Sequence, residues 1–491
     1  MIQAYSVEQV REAEEALLAQ TPEGELMRRA STGLAEVLRA RAEQLDARRL
    51  VVLVGPGNNG GDALHAAAMV SDGLAVVVVQ VASRPHPGGA RAVADAGVPV
   101  HVLDRDATEV PEDVRTALAE ADLVVDGLLG IGGTPGLRGA MAAVVDAIGE
   151  HAYVVAVDLP SGADPAGRTR LEDAVFADET VTFGVPKPVH LLPATEPAVG
   201  RLTVVDIGLT LDVPPAVERL DFDDVRALWP VPGADDDKYS RGVLGVVAGG
   251  ETFPGAAVLC TVSAVEAGVG MVRYLGPPTP TGLVLRAVPE AVTRPGRVQA
   301  WVLGPGLDPE DTSVRGRVQV RTARRALESH DPCVVDAGAL DLLSGRRAAP
   351  TLLTPHAGEL ARLLSRLVGG PEVERATVQA DPVRHARIAA EVTGAVVLLK
   401  GATTVVVGPG AHDPVRVQAD APAWLATAGS GDVLAGLTGA LLASGLDPLD
   451  AAPLAALVHG VAGDRANPGG PVRALAVAHA LPGTVAYLLH R

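Results

Sequence analysis

The chain has 491 residues, enough for two or three domains, and 48% of them are apolar, enough for each domain to bury a core. A formal net charge of −18 excludes a general nucleic-acid binder, which needs a basic face for phosphates. Two cysteines far apart in apolar segments, Cys260 and Cys333, exclude a disulfide frame and a zinc cluster and fit a reduced, cytoplasmic interior.

In chain order, helical periodicity comes first, at 7–19 and 23–45; this start has no basic, then apolar, leader pattern. Short apolar strands follow at 50–54, 75–82, 100–103, 123–126, 153–158, 179–183 and 202–206, with helices in most gaps. That alternation predicts a parallel sheet covered on both faces. Residues 211–237, rich in Pro and Asp, break the rhythm and are expected to be a linker. The rhythm restarts with strands at 243–248, 300–303, 333–336, 351–354, 395–399 and 405–407. Helices close the chain at 432–442, 448–466 and 474–489, the last interrupted near Pro482. The longest quasi-apolar run, 433–446, is too short to span a bilayer, so no membrane is expected.

"VVLVGPGNNGGDALHAAAMV" carries G-x-G-x-x-G at Gly55, Gly57 and Gly60 between a strand and a helix, the setting of a dinucleotide turn. A hydride-transfer enzyme should end its next strand on an acid to hold the ribose, but this one reads "VVVVQVASRP". The loop is also unusually polar, with Asn58, Asn59 and Asp62, groups that suit a hard cation as well as phosphate. Two further strand ends carry acids, Asp126 in "VVDGLLGIGGTPGLRG" and Asp158 in "VVAVDLPSGADPAG". Each alone could be a helix or turn cap. Three polar strand ends in one sheet point to a ligand site, with Ser161 close in sequence to Asp158.

In the second half, "ATAGSGDVLAGLTGALLA" sets Gly429, Ser430 and Gly431 before an apolar helix and Asp432 in its first turn. Helix N–H groups there can hold an anion, and the carboxylate can take a proton from a hydroxyl; an ordinary cap is the alternative. Lys187, Lys238 and Lys400 are the lysines among 41 basic residues, each in a Gly/Pro-rich stretch. Lys400 begins "KGATT", a strand end able to meet nucleotide phosphates or to form a plain β-turn. His356 lies between a strand and a helix, a place where a lone His is commonly structural.

"GPGNNGGD", "DGLLGIG", "DLPSG" and "TFGVPKP" resemble the NAD(P)H-hydrate epimerase half of bifunctional NAD(P)H-hydrate repair enzymes. From Lys238 onward the chain resembles their ribokinase-like half, the ADP-dependent NAD(P)H-hydrate dehydratase. The resemblance implies a Rossmann-like epimerase domain at 1–210, a linker at 211–237 and a ribokinase-like α/β dehydratase domain at 238–491. It implies that Asn58, Asn59, Gly60, Gly61 and Asp62, with Gly130, Ile131, Gly132, Gly133, Thr134, Pro135 and Gly136, contact the hydrate. By the same resemblance Asp158 binds it and acts as acid or base, and Asn59, Asp126 and Ser161 hold K⁺. In the second domain Ala257, Gly306, His356 and Asp432 contact the hydrate, with Asp432 catalytic. Lys400, Gly401, Ala402, Thr403, Thr404 and Gly431 contact the adenine nucleotide. The implied substrates are NADHX and NADPHX, with ADP as co-substrate and Mg²⁺ in the dehydratase; a homo-oligomer is expected. Three departures stand out: Ala63 replaces the family's last loop glycine, Ser430 its usual Thr, and Gly338 a second Asp in D-A-D-A-L. A ribokinase-like small-molecule kinase with a non-catalytic N-terminal binding domain is the competing expectation.

Overall fold

The computed structural model describes residues 1–81 and 84–490, so Ala82, the end of an expected strand, and Arg491, the end of the expected second domain, lie outside the described residues. The chain forms two compact units, Gln3–Val217 and, with Met1–Ile2, Glu218–Arg491. The division falls inside the segment expected as a linker. That segment is more than a tether: it contains the strand Val217–Arg219 and the helix Phe222–Leu228, and it places Leu220, Val225 and Trp229 in the core of the second unit.

The first unit holds seven strands, β1 (Arg49–Val54), β2 (Ala75–Gln80), β3 (Val100–Val102), β4 (Leu123–Gly127), β5 (Tyr153–Val157), β6 (Glu179–Phe183) and β7 (Arg201–Val205). They pair in parallel in the order β3-β2-β1-β4-β5-β6-β7. The order reverses between β1 and β4, the topological switch where such sheets bind ligands. Both faces are apolar: Leu50, Val52 and Val54 enter one core, Val51 and Leu53 the other. Helices α1 (Val7–Leu18), α2 (Glu25–Leu45) and α3 (Asn58–Val70) all contribute to the first of these cores.

The second unit's strands are β8 (Val243–Val247), β9 (Met271–Tyr274), β10 (Ala300–Leu303), β11 (Cys333–Val335), β12 (Thr351–Leu353), β13 (Val396–Leu399), β14 (Thr404–Val407) and β15 (Val415–Gln418). They run in the order β15-β14-β13-β12-β11-β10-β8-β9, parallel except that β14 pairs antiparallel with both β13 and β15. Sequence reading misses β9 and β15, short strands whose apolar run is broken by an Arg in each. Helices of this unit include α4 (Pro254–Glu266), α5 (Ala357–Val368), α6 (Ser430–Ala443), α7 (Pro448–Ala466) and α8 (Ala474–His490). Helix α6 is buried from Val433 to Ala443, and glycines let its backbone approach its neighbours. A Cβ at Gly436 would stand 2.2 Å from the Cys260 carbonyl oxygen, and one at Gly439 2.2 Å from Val302 Cγ2. Helix α8 runs unbroken through Pro482, contrary to expectation; Val477, Ala478, Leu481, Thr484 and Leu488 hold its buried face on both sides of the missing N–H. Among the described residues, no helix is long and apolar enough to cross a membrane.

Candidate active sites

The glycine loop of the first unit owes its shape to contact. A Cβ at Gly55 would lie 1.7 Å from the Leu128 carbonyl oxygen, and one at Gly60 2.3 Å from the Gly55 carbonyl oxygen. The loop is therefore pressed against the turn after β4, and α3 begins at Asn58. Asn59 is buried, with neither amide atom hydrogen-bonded, and one Asp62 carboxylate oxygen is also without a partner. Such groups cost free energy unless a ligand completes them. Burial, helped by the charges of Asp158 and Glu14, pushes the Asp62 carboxyl well above its usual range.

Asp126 is wholly buried at the end of β4. It accepts hydrogen bonds from the Ser161 N–H at 2.8 Å, the Ser161 hydroxyl at 2.6 Å and the Leu128 N–H at 3.3 Å. Burial pushes it up to about 6 despite these donors. Ser161 in turn accepts from the Leu129 N–H at 2.8 Å, so the pair supports the 130–136 loop from beneath.

Asp158, just past β5, has φ +65°, a left-handed conformation unfavourable for a residue with a Cβ. The structure holds it there at two points. Lys187 Nζ lies 2.6 Å from Oδ1, and the Thr182 hydroxyl donates to the same oxygen at 3.1 Å. His190 Nδ1 accepts from the Lys187 N–H, so its Nε2 carries the proton and donates to the Asp158 carbonyl at 2.7 Å. Burial would raise the Asp158 carboxyl, but the Lys187 charge and hydrogen bond overcome it and hold the group below its ordinary value. Burial keeps His190 neutral, down at about 4.

Asn59, Asp62 and Asp158 border a cavity of about 660 Å³, while Asp126 and Ser161, expected with Asn59 to hold a cation, are not on its wall. Of the expected contacts, Asn58, Asn59, Asp62, Gly130, Ile131, Gly132, Gly133 and Asp158 line it. Gly60 and Gly61 instead lie buried in the first turn of α3. Thr134, Pro135 and Gly136 are not on its wall; the Gly136 N–H is tied to the Gly162 carbonyl at 2.9 Å. Sequence reading misses Glu14, Met27, His86 and Phe183, which do line it. Glu14 and Met27 come from the amphipathic helices α1 and α2, which carry no glycine motif. The scarcity of lysine does single out Lys187.

In the second unit, Gly429 caps α6 at φ +89°, and Asp432 sits in the first turn. Lys400, at the end of β13, reaches Asp336 at 2.8 Å and Glu359 at 3.8 Å. A Cβ at Gly431 would stand 3.3 Å from Lys400 Nζ, so the lysine lies against the α6 N-terminus. Burial, reinforced by Asp336 and opposed by Lys400, pushes Asp432 up to about 7. Burial tends to discharge Lys400, yet Asp336 and Glu359 outweigh it and keep the ammonium charged.

His356 is a helix cap whose Nδ1 accepts from the Gly358 and Glu359 N–H groups, while Glu359 accepts from the His356 N–H at 2.8 Å. A bridge pairs His356 with Lys400, which brings it beside the charged cluster. Gly306, at φ +65°, packs against Ala256, next to the fully buried Ala257 on α4. Gly401 and Ala402 form the exposed turn between β13 and β14, with Thr403 buried and Thr404 opening β14. A Cβ at Gly338 would meet the Leu307 carbonyl oxygen at 2.0 Å, so an acid at that position would require the Leu307 turn to shift.

A doubly wound sheet with a polar cavity at its switch point, followed by an α/β unit with a half-buried carboxylate at a glycine-led helix start, defines a two-domain α/β enzyme. Residues 23–189 match the family described as YjeF-related protein N-terminus, and residues 244–479 the family described as NAD(P)H-hydrate dehydratase. The chain is 44% identical over 469 residues to the bifunctional NAD(P)H-hydrate repair enzyme of Mycobacterium tuberculosis, covering 91% of this chain and 90% of that one. It is 43% identical over 486 residues to the Mycobacterium leprae enzyme of the same name, covering 95% and 94%. Among solved structures it is similar to the ADP/ATP-dependent NAD(P)H-hydrate dehydratase from Bacillus subtilis co-crystallised with ATP and Mg²⁺: 25% identity, 57% of this chain, all of that one, TM-score 0.48. The chain belongs to the family of bifunctional NAD(P)H-hydrate repair enzymes. The expected fold class, two α/β units with the second ribokinase-like, agrees with that membership.

Proposed function

We propose that the chain repairs hydrated nicotinamide dinucleotides. An epimerase domain at 1–210 interconverts the C6 epimers of NADHX and NADPHX, and a dehydratase domain at 238–491, after a linker at 211–237, returns the S form to NADH or NADPH with ADP. The observation that carries the reading is the Asp432 environment. A carboxyl with its pKa about 7, at a helix N-terminus beside Lys400, is poised as a base in an anion-binding corner.

Hydroxide is a poor leaving group. Asp432 takes the C6 hydroxyl proton as that oxygen attacks the terminal phosphorus of ADP, releasing AMP. The α6 N–H groups and Lys400 hold the moving phosphoryl charge. Expulsion of phosphate by the N1 lone pair, with loss of the C5 proton, restores the dihydronicotinamide. Ala257, Gly306 and His356 face the hydrate, and Lys400 to Thr404 with Gly431 face the nucleotide.

Mg²⁺ belongs with the nucleotide phosphates, since among the described residues no group of three or more His, Cys, Asp or Glu converges on one point. In the first unit the residues fit a potassium ion. The Asn59 carbonyl oxygen is buried without a partner, and Asp126 is buried with no cationic side chain paired to it among the described residues. Asn59, Asp126 and Ser161 would hold K⁺, which would supply positive charge beside an anionic substrate. The free, buried Cys260 and Cys333 support a cytoplasmic location; self-association into a homo-oligomer is part of the proposal.

The test is incubation of the full-length protein with both NADH-hydrate epimers, Mg²⁺ and K⁺, with ADP, with ATP or with neither, following absorbance of the dihydronicotinamide. Complete ADP-dependent recovery is expected. Recovery limited to one epimer would remove the epimerase assignment. A stable phosphorylated product without recovery would replace the dehydratase with a kinase.

A further inference from the structure

Helix α1 brings a carboxyl group to the cavity of the first unit. Glu14 is half-buried and lines the same wall system as Asp158, Asp62, Glu23 and His86. Its charged neighbours are Lys187, Asp158 and Arg11. Burial pushes the Glu14 carboxyl up and the Asp158 charge adds to this, against the pull of Lys187 and Arg11. Asp158 is in the opposite state. One of its oxygens is taken by Lys187 and Thr182, its carbonyl by His190, and it is held ionised. The cavity wall therefore carries four carboxyl groups, Glu14, Glu23, Asp62 and Asp158, and the protonation states of Glu14 and Asp158 are driven apart. That is the arrangement by which sites assign an acid and a base. Asp62 is raised as well but is buried, whereas Glu14 is only half-buried and can regain a proton from solvent.

We infer that Glu14 is the general acid of C6 epimerisation and Asp158 the general base, acting on opposite faces of the hydrated ring; this rests on the epimerase reading above. The Glu14 carboxyl gives its proton to the C6 hydroxyl. The C6–O bond breaks as the N1 lone pair forms a C6=N1 double bond, and water departs. A solvent water on the other face bonds to C6 and passes a proton to Asp158, while the double-bond pair returns to N1. Asp158 then returns its proton to solvent and Glu14 regains one. The ring keeps its electrons throughout, and each inversion exchanges one oxygen with water. The remaining Asp158 oxygen is the proton acceptor, and Lys187, Thr182 and His190 are positioning residues that fix where it stands.

The experiment uses the full-length protein and the purified R epimer in H₂¹⁸O, without ADP so that dehydration is silent. Wild type is expected to install one ¹⁸O at C6 per inversion at initial rates, above an enzyme-free control. Glu14→Gln is expected to lower the epimerase kcat about 10²–10⁴-fold with KM within about threefold. It should remove the alkaline limb of the pH profile and leave ADP-dependent dehydration of the S epimer at wild-type rate, which also reports folding. Glu14→Asp is expected to recover part of the rate. Retention of kcat within about threefold in Glu14→Gln, or inversion by wild type without ¹⁸O uptake, would overturn the inference. A wild-type protein that does not epimerise at all would remove the underlying reading instead, so the two failures are distinct.

Discussion

Asp432 needs to be ionised to act, and its pKa stands at about 7 because it is half-buried near Asp336 and Glu359. Dehydration is thus expected to rise with pH through about 7 and to level off above it. Asp432→Asn should lower dehydration about 10²–10⁴-fold and spare epimerisation; an unchanged rate would show that another group takes the hydroxyl proton. The sign for stability is opposite to that for activity. A carboxyl whose folded pKa is raised above 3.8 makes the fold lose stability as pH climbs from about 4 to 7. The Asn variant should consequently melt higher than wild type at pH 8. Lys187 behaves the other way. With its partner gone, Asp158 would remain buried and uncompensated, so Lys187→Met is expected to cost about 3–5 kcal/mol, read by urea melts of the first unit. The carboxyl of Asp158 is held below its ordinary value, so the pair's contribution is present above about pH 4 and is lost as pH falls through the folded pKa.

At the scale of elements, the short helical turn Ala337–Leu342 shows how backbone contact replaces a side chain. Gly338 presses on the Leu307 carbonyl, and Gly304, at φ +114°, presses on the Asp336 carbonyl, where a Cβ would stand at 1.8 Å. Gly338→Asp, which restores the family's usual acid, is expected to destabilise the second unit by about 1–3 kcal/mol. Thermal melting of the variant checks it; an unchanged Tm would mean that the Leu307 turn yields freely. Such contacts also mark the boundary of what sequence can reveal. Asp126, Asp158 and Asp432 are legible because each ends an apolar strand or opens a glycine-led helix, and local pattern encodes both. Glu14 is not legible: it sits in an amphipathic helix among Glu12 and Glu15, and only the fold of α1 over the cavity separates it from them. Lys187 is conspicuous by rarity, yet its role depends on Asp158, 29 positions away. The strands β9 and β15 escape because an Arg interrupts each short apolar run, and α8 ignores Pro482 because tertiary burial outweighs one missing hydrogen bond.

At the scale of the whole molecule, the two units have separate hydrophobic cores, and each gathers its proposed chemistry at the strand ends of its own sheet. Two cores with their own ligands should respond to those ligands separately. The proposed nucleotide contacts, Lys400 to Thr404 and Gly431, all belong to the second unit. Binding that favours only the folded form adds RT ln(1 + [L]/Kd), about 2.7 kcal/mol at a hundredfold excess over Kd. For a unit of this size that corresponds to a Tm rise of roughly 5–10 °C. Calorimetry of the full-length chain is therefore expected to show two transitions, of which ADP with Mg²⁺ raises one. Lys187→Met supplies the assignment, because it should lower the other transition and leave the ADP-responsive one in place. A single transition moved by both perturbations would show that the units unfold as one cooperative body. In that case the stability of the epimerase site would depend on nucleotide bound at the dehydratase site, and the activities could not be treated as independent.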